Sequence, residues 1–331
     1  MTIQKISVAN FTVFEDLEID LCDGINIFIG ENGTGKTHLL KLLYAVALLH
    51  ENGNLPLLSD LFGKDFVIHG GCSVEINSKP ATIWPLSIAY AGFPDENGNI
   101  PIPPPQCTIK AKLDTKNTPV FIPAKELLSM AKIFWVAEDY KKAMNLDITL
   151  VNIIKKAESI LPDNIPPLAA KLAHRLETVI GGTVEYDEKE KMFWVSKDDG
   201  INVPFTSEAE GYKKLGLLWR LIMNKEIKED TVLLWDEPEA NLNPALIPVL
   251  VETMLELSRN GVQIILATHD YNLMKYFSVK KQSGDDVAFF SLYKQKSGSV
   301  ACERENDYDL LAHNAIIDAN TQLIEDDLED L

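Results

Sequence analysis

Gly30-Glu31-Asn32-Gly33-Thr34-Gly35-Lys36-Thr37 decides how the rest of this 331-residue chain is read. It lies between an apolar run, Ile25 to Ile29, and a leucine-rich segment, His38 to Leu49. Strand, glycine-rich turn, helix is the order that gives such a loop a chemistry. The glycines let the backbone curl so that successive N–H groups point inward at α- and β-phosphates. Lys36 is then placed to reach the β/γ oxygens, and the Thr37 hydroxyl to hold Mg²⁺. The dipole of the helix that begins here, with His38 in its first turn, favours the same negative charge. All fixed positions are filled and both flanks are correct, so a glycine-rich surface turn is the poorer reading. The expected ligands are ATP and Mg²⁺.

Composition is that of an ordinary globular chain, 46% hydrophobic and 24% charged. The net charge of −18 argues against loose coating of nucleic acid, though not against a local basic groove. Cys22, Cys72, Cys107 and Cys302 lie far apart without a CxxC spacing, so neither a zinc site nor a disulfide framework is expected. No apolar run reaches a membrane span and the N-terminus has no signal-peptide pattern, which points to a cytoplasmic protein.

Ile3 to Asp20 alternates polar and apolar residues as small antiparallel strands do. Asn52 to Gln106 is loop-rich, with Pro101, Pro103, Pro104 and Pro105 as a stiff connector. Helical periodicity is read from Pro123 to about Leu161, with Pro123 in the first turn. A helix from Leu168 to Ile180 ends at Gly181-Gly182, and Thr183 to Val195 reads as a hairpin. A helix from Gly211 to Asn224 leads into two continuous apolar runs, Thr231 to Trp235 and Gln263 to Thr268. Such runs suit strands buried on both faces, joined by the helix Ala245 to Arg259. The expected fold is an α/β P-loop NTPase: a mixed central sheet, N-terminal antiparallel strands, and a helical lobe with a hairpin. Its parts divide as 1–122, 123–205 and 206–331. Two further strands, Val287 to Lys294 and Val300 to Glu303, precede a final helix from Asn314. Its acidic end, Glu325 to Asp330, is most simply a solvated face, with a docking tail for a basic partner as the other reading.

Leu233-Leu234-Trp235-Asp236-Glu237-Pro238 delivers two carboxylates at a strand's C-terminal end. Neighbouring strand residues point to opposite sides, so the two acids cannot share a job. Asp236 is placed to support Mg²⁺ and Glu237 to polarise an attacking water as general base. His269 ends the next strand and is expected to support catalysis behind Glu237.

Together, Asn10 to Phe14, the glycine loop, Asp236 to Pro244 and Thr268-His269 resemble ABC-type ATPases. Within these the chain resembles the RecF/SMC-like branch, in a compact AAA-family group without a long coiled coil. Phe121 to Glu126 and Ala209 to Gly216 carry the same resemblance. It implies an ATP-dependent homodimer in which two heads sandwich two ATP molecules. Each site is completed by the other chain's signature-like segment, Ser207, Glu210, Gly211 and Lys213. Asn241, Leu242, Asn243 and Pro244 form the loop that crosses the interface. The chain departs from the family pattern at Thr12, where a basic residue is common. It departs again at Glu210, where the family presents Ser-Gly-Gly. The Q-loop glutamine has no clear place, Gln106 lying in a proline-rich stretch.

The segment between the two nucleotide motifs is too short and broken for a long coiled coil. The roughly sixty residues after His269 are too few for a separate nuclease domain. The resemblance therefore implies a separate effector, a nuclease or toxin, with DNA as a further partner, in DNA repair or antiphage defence. Lysine pairs at 141–142, 155–156 and 213–214 are candidates for a groove. A regulatory ATP-binding switch with little turnover is the second reading, and a transporter's nucleotide-binding subunit the third.

Overall fold

The computed structural model describes residues 2–52, 61–62, 72–79, 82–89, 106–109, 119–126, 128–136 and 147–329. The alternation at the start of the chain becomes β1 (Thr2–Phe11) and β2 (Phe14–Asp20), an antiparallel pair that buries Ile3, Ile6, Val8 and Phe11 on one strand and Phe14, Leu17 and Ile19 on the other. β3 (Ile25–Ile29) is buried at all five positions and feeds α1 (Lys36–Asn52). β4 (Cys72–Lys79), β5 (Thr82–Ala89) and β6 (Gln106–Ile109) extend the first pair to a five-stranded sheet in the order β2-β1-β4-β5-β6.

After β7 (Val120–Ile122) come α2 (Ala131–Val136), α3 (Ile148–Glu158) and α4 (Pro167–Ile180). β8 (Gly182–Asp187), β9 (Met192–Lys197) and β10 (Asn202–Pro204) form a small antiparallel sheet beside them. α5 (Glu210–Met223), β11 (Val232–Asp236), α6 (Ile247–Arg259), β12 (Gln263–Ala267) and α7 (Tyr271–Lys280) follow. β13 (Val287–Lys294), β14 (Val300–Glu305) and α8 (Ala315–Glu329) finish the chain.

The central sheet has six strands in the order β14-β13-β3-β12-β11-β7, parallel except for β14. Strand parity sorts its side chains into two cores. Phe28, Leu234, Ile265 and Phe290 pack with α1 and the N-terminal sheet. Ile27, Ile29, Trp235, Leu266 and Phe289 pack with α5, α6 and the helical lobe. Each fully buried aliphatic side chain contributes about 1.5–3 kcal/mol of transfer free energy. Buried polar groups tie the layers together. Gln263 accepts from Ile3 N at 2.7 Å and donates to Ile3 O at 2.7 Å and Cys22 O at 2.8 Å, joining the two sheets. The Arg220 guanidinium donates to Ala157 O at 2.8 Å and Ser159 O at 3.0 Å, capping the end of α3.

Two local expectations are overturned. Pro123 does not open a helix: it follows β7, three buried residues pairing in parallel with Leu233, Leu234 and Trp235. The next regular α-helix begins at Ala131, because Val120-Phe121-Ile122 has a sheet neighbour that outweighs local periodicity. Gln106 is not in a loop but opens β6, opposite Ala89 at the outer edge of the five-stranded sheet. Residues 101–105 and the lysine pair 141–142 lie outside the described residues.

Candidate active site

β3, β12, β11 and β7 run parallel in matched register, Phe28 opposite Ala267, Ala267 opposite Asp236, and Trp235 opposite Ile122. Their C-terminal ends share one rim, where open α/β sheets bind ligands. The glycine loop, Asp236-Glu237, Thr268-His269 and Pro123–Glu126 therefore all emerge there.

The loop needs its glycines for different reasons. Gly30, Gly33 and Gly35 all have positive φ, at 144°, 80° and 90°. A Cβ on Gly30 would stand 2.1 Å from Leu292 O, and one on Gly35 only 2.6 Å from the Phe14 ring and 2.7 Å from Val13. The turn between β1 and β2, with Thr12 exposed at φ 53°, thus braces the loop from outside. Thr34 is buried and donates to Glu31 O at 2.9 Å, while Glu31, Asn32 and Gly33 are exposed. Lys36 Nζ donates to Gly30 O at 2.6 Å and Glu31 O at 3.0 Å, so the ammonium lies within the curl of the loop. Burial lowers its pKa, and the carboxylates of Glu237, Asp236 and Glu239 oppose that shift. His38 is exposed and packs edge-on against Phe62, ring centroids 5.6 Å apart.

Asp236 shares strand parity with Val232 and Leu234, which face α1, and Thr37 sits in the first turn of α1. Parity is why segments almost two hundred positions apart meet: Thr37 Oγ1 donates to Asp236, 3.0 Å from Oδ2 and 3.2 Å from Oδ1. Burial raises the Asp236 pKa, and the Thr37 hydrogen bond offsets part of the rise. A hydroxyl beside a carboxylate is a hard oxygen donor set, which fits Mg²⁺.

Glu237 leaves the strand with φ 46°, a left-handed backbone that a side chain of this size adopts only when its surroundings hold it there. Its N–H donates to Ala267 O at 2.9 Å, and its carbonyl accepts from Lys214 Nζ at 2.7 Å. The turn aims its carboxylate at the exposed His269 ring, Oε1 lying 3.4 Å from Nδ1.

Lys213 and Lys214 do not supply the groove expected of that pair, since both are buried. Two roles in this shell escaped the sequence reading, those of Lys214 and Glu239. Burial draws the Lys214 pKa down to about 8, against the pull of Glu239, Glu237, Asp236 and Glu210. Glu239 is 8% exposed, accepts from Thr268 Oγ1 at 2.7 Å and leaves Oε2 without a hydrogen-bond partner. Burial raises its pKa. Buried lysine and glutamate at a loop are invisible to composition; only their place between two strand ends marks them.

The segments read as trans-acting lie beside this rim. Ser207 ends a short 3-10 turn, and both it and Glu210, the first residue of α5, are exposed. Lys213 Nζ donates to Glu210 at 2.7 Å. Gly211 abuts the Asn241–Leu242 turn: a Cβ there would sit 3.2 Å from Leu242 and 3.3 Å from Asn241 O. Asn241 (φ 62°), Asn243 and Pro244 are exposed and Leu242 is buried beneath them. Asn243 caps the following turn, accepting from Ala245 N at 2.9 Å.

Two family models match this chain in succession. Residues 1–122 match a family described as "AAA ATPase domain". Residues 115–275 match one described as "AAA domain, putative AbiEii toxin, Type IV TA system". Among curated proteins, the DNA replication and repair protein RecF of Cytophaga hutchinsonii is 48% identical over 48 residues, 14% of this chain and 13% of that protein. RecF of Heliobacterium modesticaldum is 44% identical over 54 residues, 16% of this chain and 14% of that protein. The matched stretch is thus about a seventh of the length of each relative. Among solved structures, the Pyrococcus furiosus Smc head with an extended coiled coil, bound to the C-terminal domain of ScpA, superposes with a TM-score of 0.53. It is 13% identical and covers 98% of this chain and 99% of that one. An Smc head bound to the C-winged helix domain of ScpA gives a TM-score of 0.50 at 16% identity, covering 92% and 98%.

Proposed function

Taking as premise that this chain is an ATPase head of the ABC/RecF–SMC-like kind, we propose that it hydrolyses ATP and closes on a second copy to drive a separate effector. The glycine loop and Lys36 hold the phosphates, and Thr37 with Asp236 hold Mg²⁺. The metal, when bound, neutralises charge on the β- and γ-phosphoryl oxygens. Glu237 takes a proton from the attacking water, with His269 keeping that carboxylate and the water in line. The exposed Ser207, Glu210, Asn241 and Asn243 form the face offered to the second head. The observation that most supports this reading is the Thr37–Asp236 contact, which sets a buried carboxylate against the first turn of the helix that follows the glycine loop.

The effector is a nuclease or toxin, acting in DNA repair or antiphage defence, with DNA as a candidate partner of the pair. No helix among the described residues is long and apolar enough to cross a bilayer. A regulatory switch with little turnover is the second reading. Glu210 favours it, since a carboxylate at the start of α5 repels a triphosphate presented across an interface.

The test is Glu237→Gln. ATP binding should persist while turnover falls at least ~10²-fold, as for loss of a general base. Light scattering of the ATP-loaded variant should show a dimer. Unchanged turnover would remove Glu237 from the chemistry, and a persistent monomer would remove the head-to-head arrangement.

A further inference from the structure

The last helix carries a surface that the ATPase reading leaves unused. Asn314 caps α8, accepting from Ile317 N at 3.2 Å, and its amide donates to Tyr308 O at 3.1 Å. Ser291 of β13 donates to His313 O, and the His313 ring stacks on Tyr293 at 3.7 Å. The start of the helix is therefore fixed to the central sheet. Its first half, Ala315, Ile316, Ala319 and Asn320, walls a cavity of about 550 Å³ whose other side includes Glu31, Asn32 and His269.

Beyond Asn320 the helix leaves the body, and every position from Thr321 to Leu328 is exposed. At 100° per residue, Leu323, Ile324 and Leu328 continue the face that carries Ile316 and Ile317. Ile316 is buried, whereas Leu323, Ile324 and Leu328 are 66, 61 and 63% exposed. Asp318 and Glu325 fall on the opposite side, Asp326 borders the stripe beside Leu323, and Asp327 lies within it, between Leu323 and Ile324. The sequence has no Lys or Arg after Arg304.

We propose that the outer half of α8 is a docking surface for a basic amphipathic helix of a partner protein. Leu323, Ile324 and Leu328 give the contact area, and Asp327 among them with Asp326 beside them selects a basic partner. A second copy of this chain is a poor occupant, because its own α8 repeats the same acids and its net charge is −18. Two exposed amphipathic turns are also marginal in water, so a partner that covers them would stabilise them. Resting on the reading that this head works through a separate effector, the proposal names the effector's contacting chemistry. The surface begins where the cavity beside the glycine loop ends.

The probe is an 18-residue Lys/Leu peptide with helical periodicity, titrated into the full-length, nucleotide-free chain by fluorescence anisotropy. Controls are the same composition scrambled to remove the periodicity, and a Glu/Leu peptide with the same periodicity. The periodic basic peptide should bind at least tenfold more tightly than either control. A Leu323→Ser/Leu328→Ser variant should lose that preference while keeping its circular dichroism spectrum and its ATP affinity. Equal binding of the scrambled peptide would reduce the surface to charge attraction and overturn the proposal. So would a concentration-dependent dimer of the free chain that the double substitution abolishes, since the stripe would then belong to a second copy. Because ATP is absent, failure here leaves the ATPase reading untouched, and loss of ATPase activity would leave this result standing.

Discussion

At the rim of the central sheet the charged groups are turned toward one another within the chain. At the start of α5 they are turned outward. Thr37 meets Asp236, Glu237 meets His269 and Lys214 holds the Glu237 backbone, with Asp236 and Lys214 both buried. Ser207 and Glu210 are exposed, and Glu210's partner is Lys213 of the same helix. On the proposed reading the first set is a half-site preorganised in one chain, and the second has the location but not the charge of the half-site a second head would supply. ATP binding should therefore be a property of the single chain, and turnover a property of the closed pair.

The sharpest way to break this contrast is Lys36→Ala, which removes the one ammonium inside the loop. ATP binding by titration calorimetry should vanish in the monomer, and retained affinity would mean that the loop is not the site.

A smaller effect is expected at Lys214→Met. Losing the charge-assisted bond to the Glu237 carbonyl lets the left-handed turn relax, costing about tenfold in turnover, about 1.4 kcal/mol. Substrate affinity should change less, since Lys214 acts through Glu237. The same variant has a pH signature. The native state favours the neutral amine, with a pKa of about 8 against an ordinary 10.5. Between those values the unfolded chain binds more protons, so this residue's contribution to stability rises with pH across that window. The melting-temperature difference between wild type and Lys214→Met should shift in the wild type's favour from pH 8 to 10.5. A flat difference would place Lys214 outside the buried shell.

The smallest effect belongs to the outward-facing half. Glu210→Gln removes the carboxylate that would confront a partner's triphosphate, so turnover at fixed protein concentration should rise by a few-fold. A fall would give Glu210 a positive role and bring the two halves closer in character.

What the sequence made legible follows the same division. The glycine loop, the DEP strand end and the His strand end are local patterns with one physical reading each, and the parallel sheet brings them to a single rim as expected. β7 was missed because three apolar residues carry no period, and Pro123 suggested a helix that sheet pairing forestalls. Lys213 and Lys214 read as a candidate groove, since nothing local reveals that α5 is buried on nearly every side. Glu239 was invisible for the same reason: its meaning comes from Thr268, twenty-nine positions away.

The central claim is that the glycine loop and the strand-end carboxylate share one Mg²⁺–triphosphate. It is tested most directly by titrating ATP into the chain with Mg²⁺ and with EDTA, in wild type and in Asp236→Asn. The account predicts that Mg²⁺ tightens ATP binding at least tenfold in wild type, about 1.4 kcal/mol, and that the gain disappears in the variant. An equal gain in both proteins would contradict it.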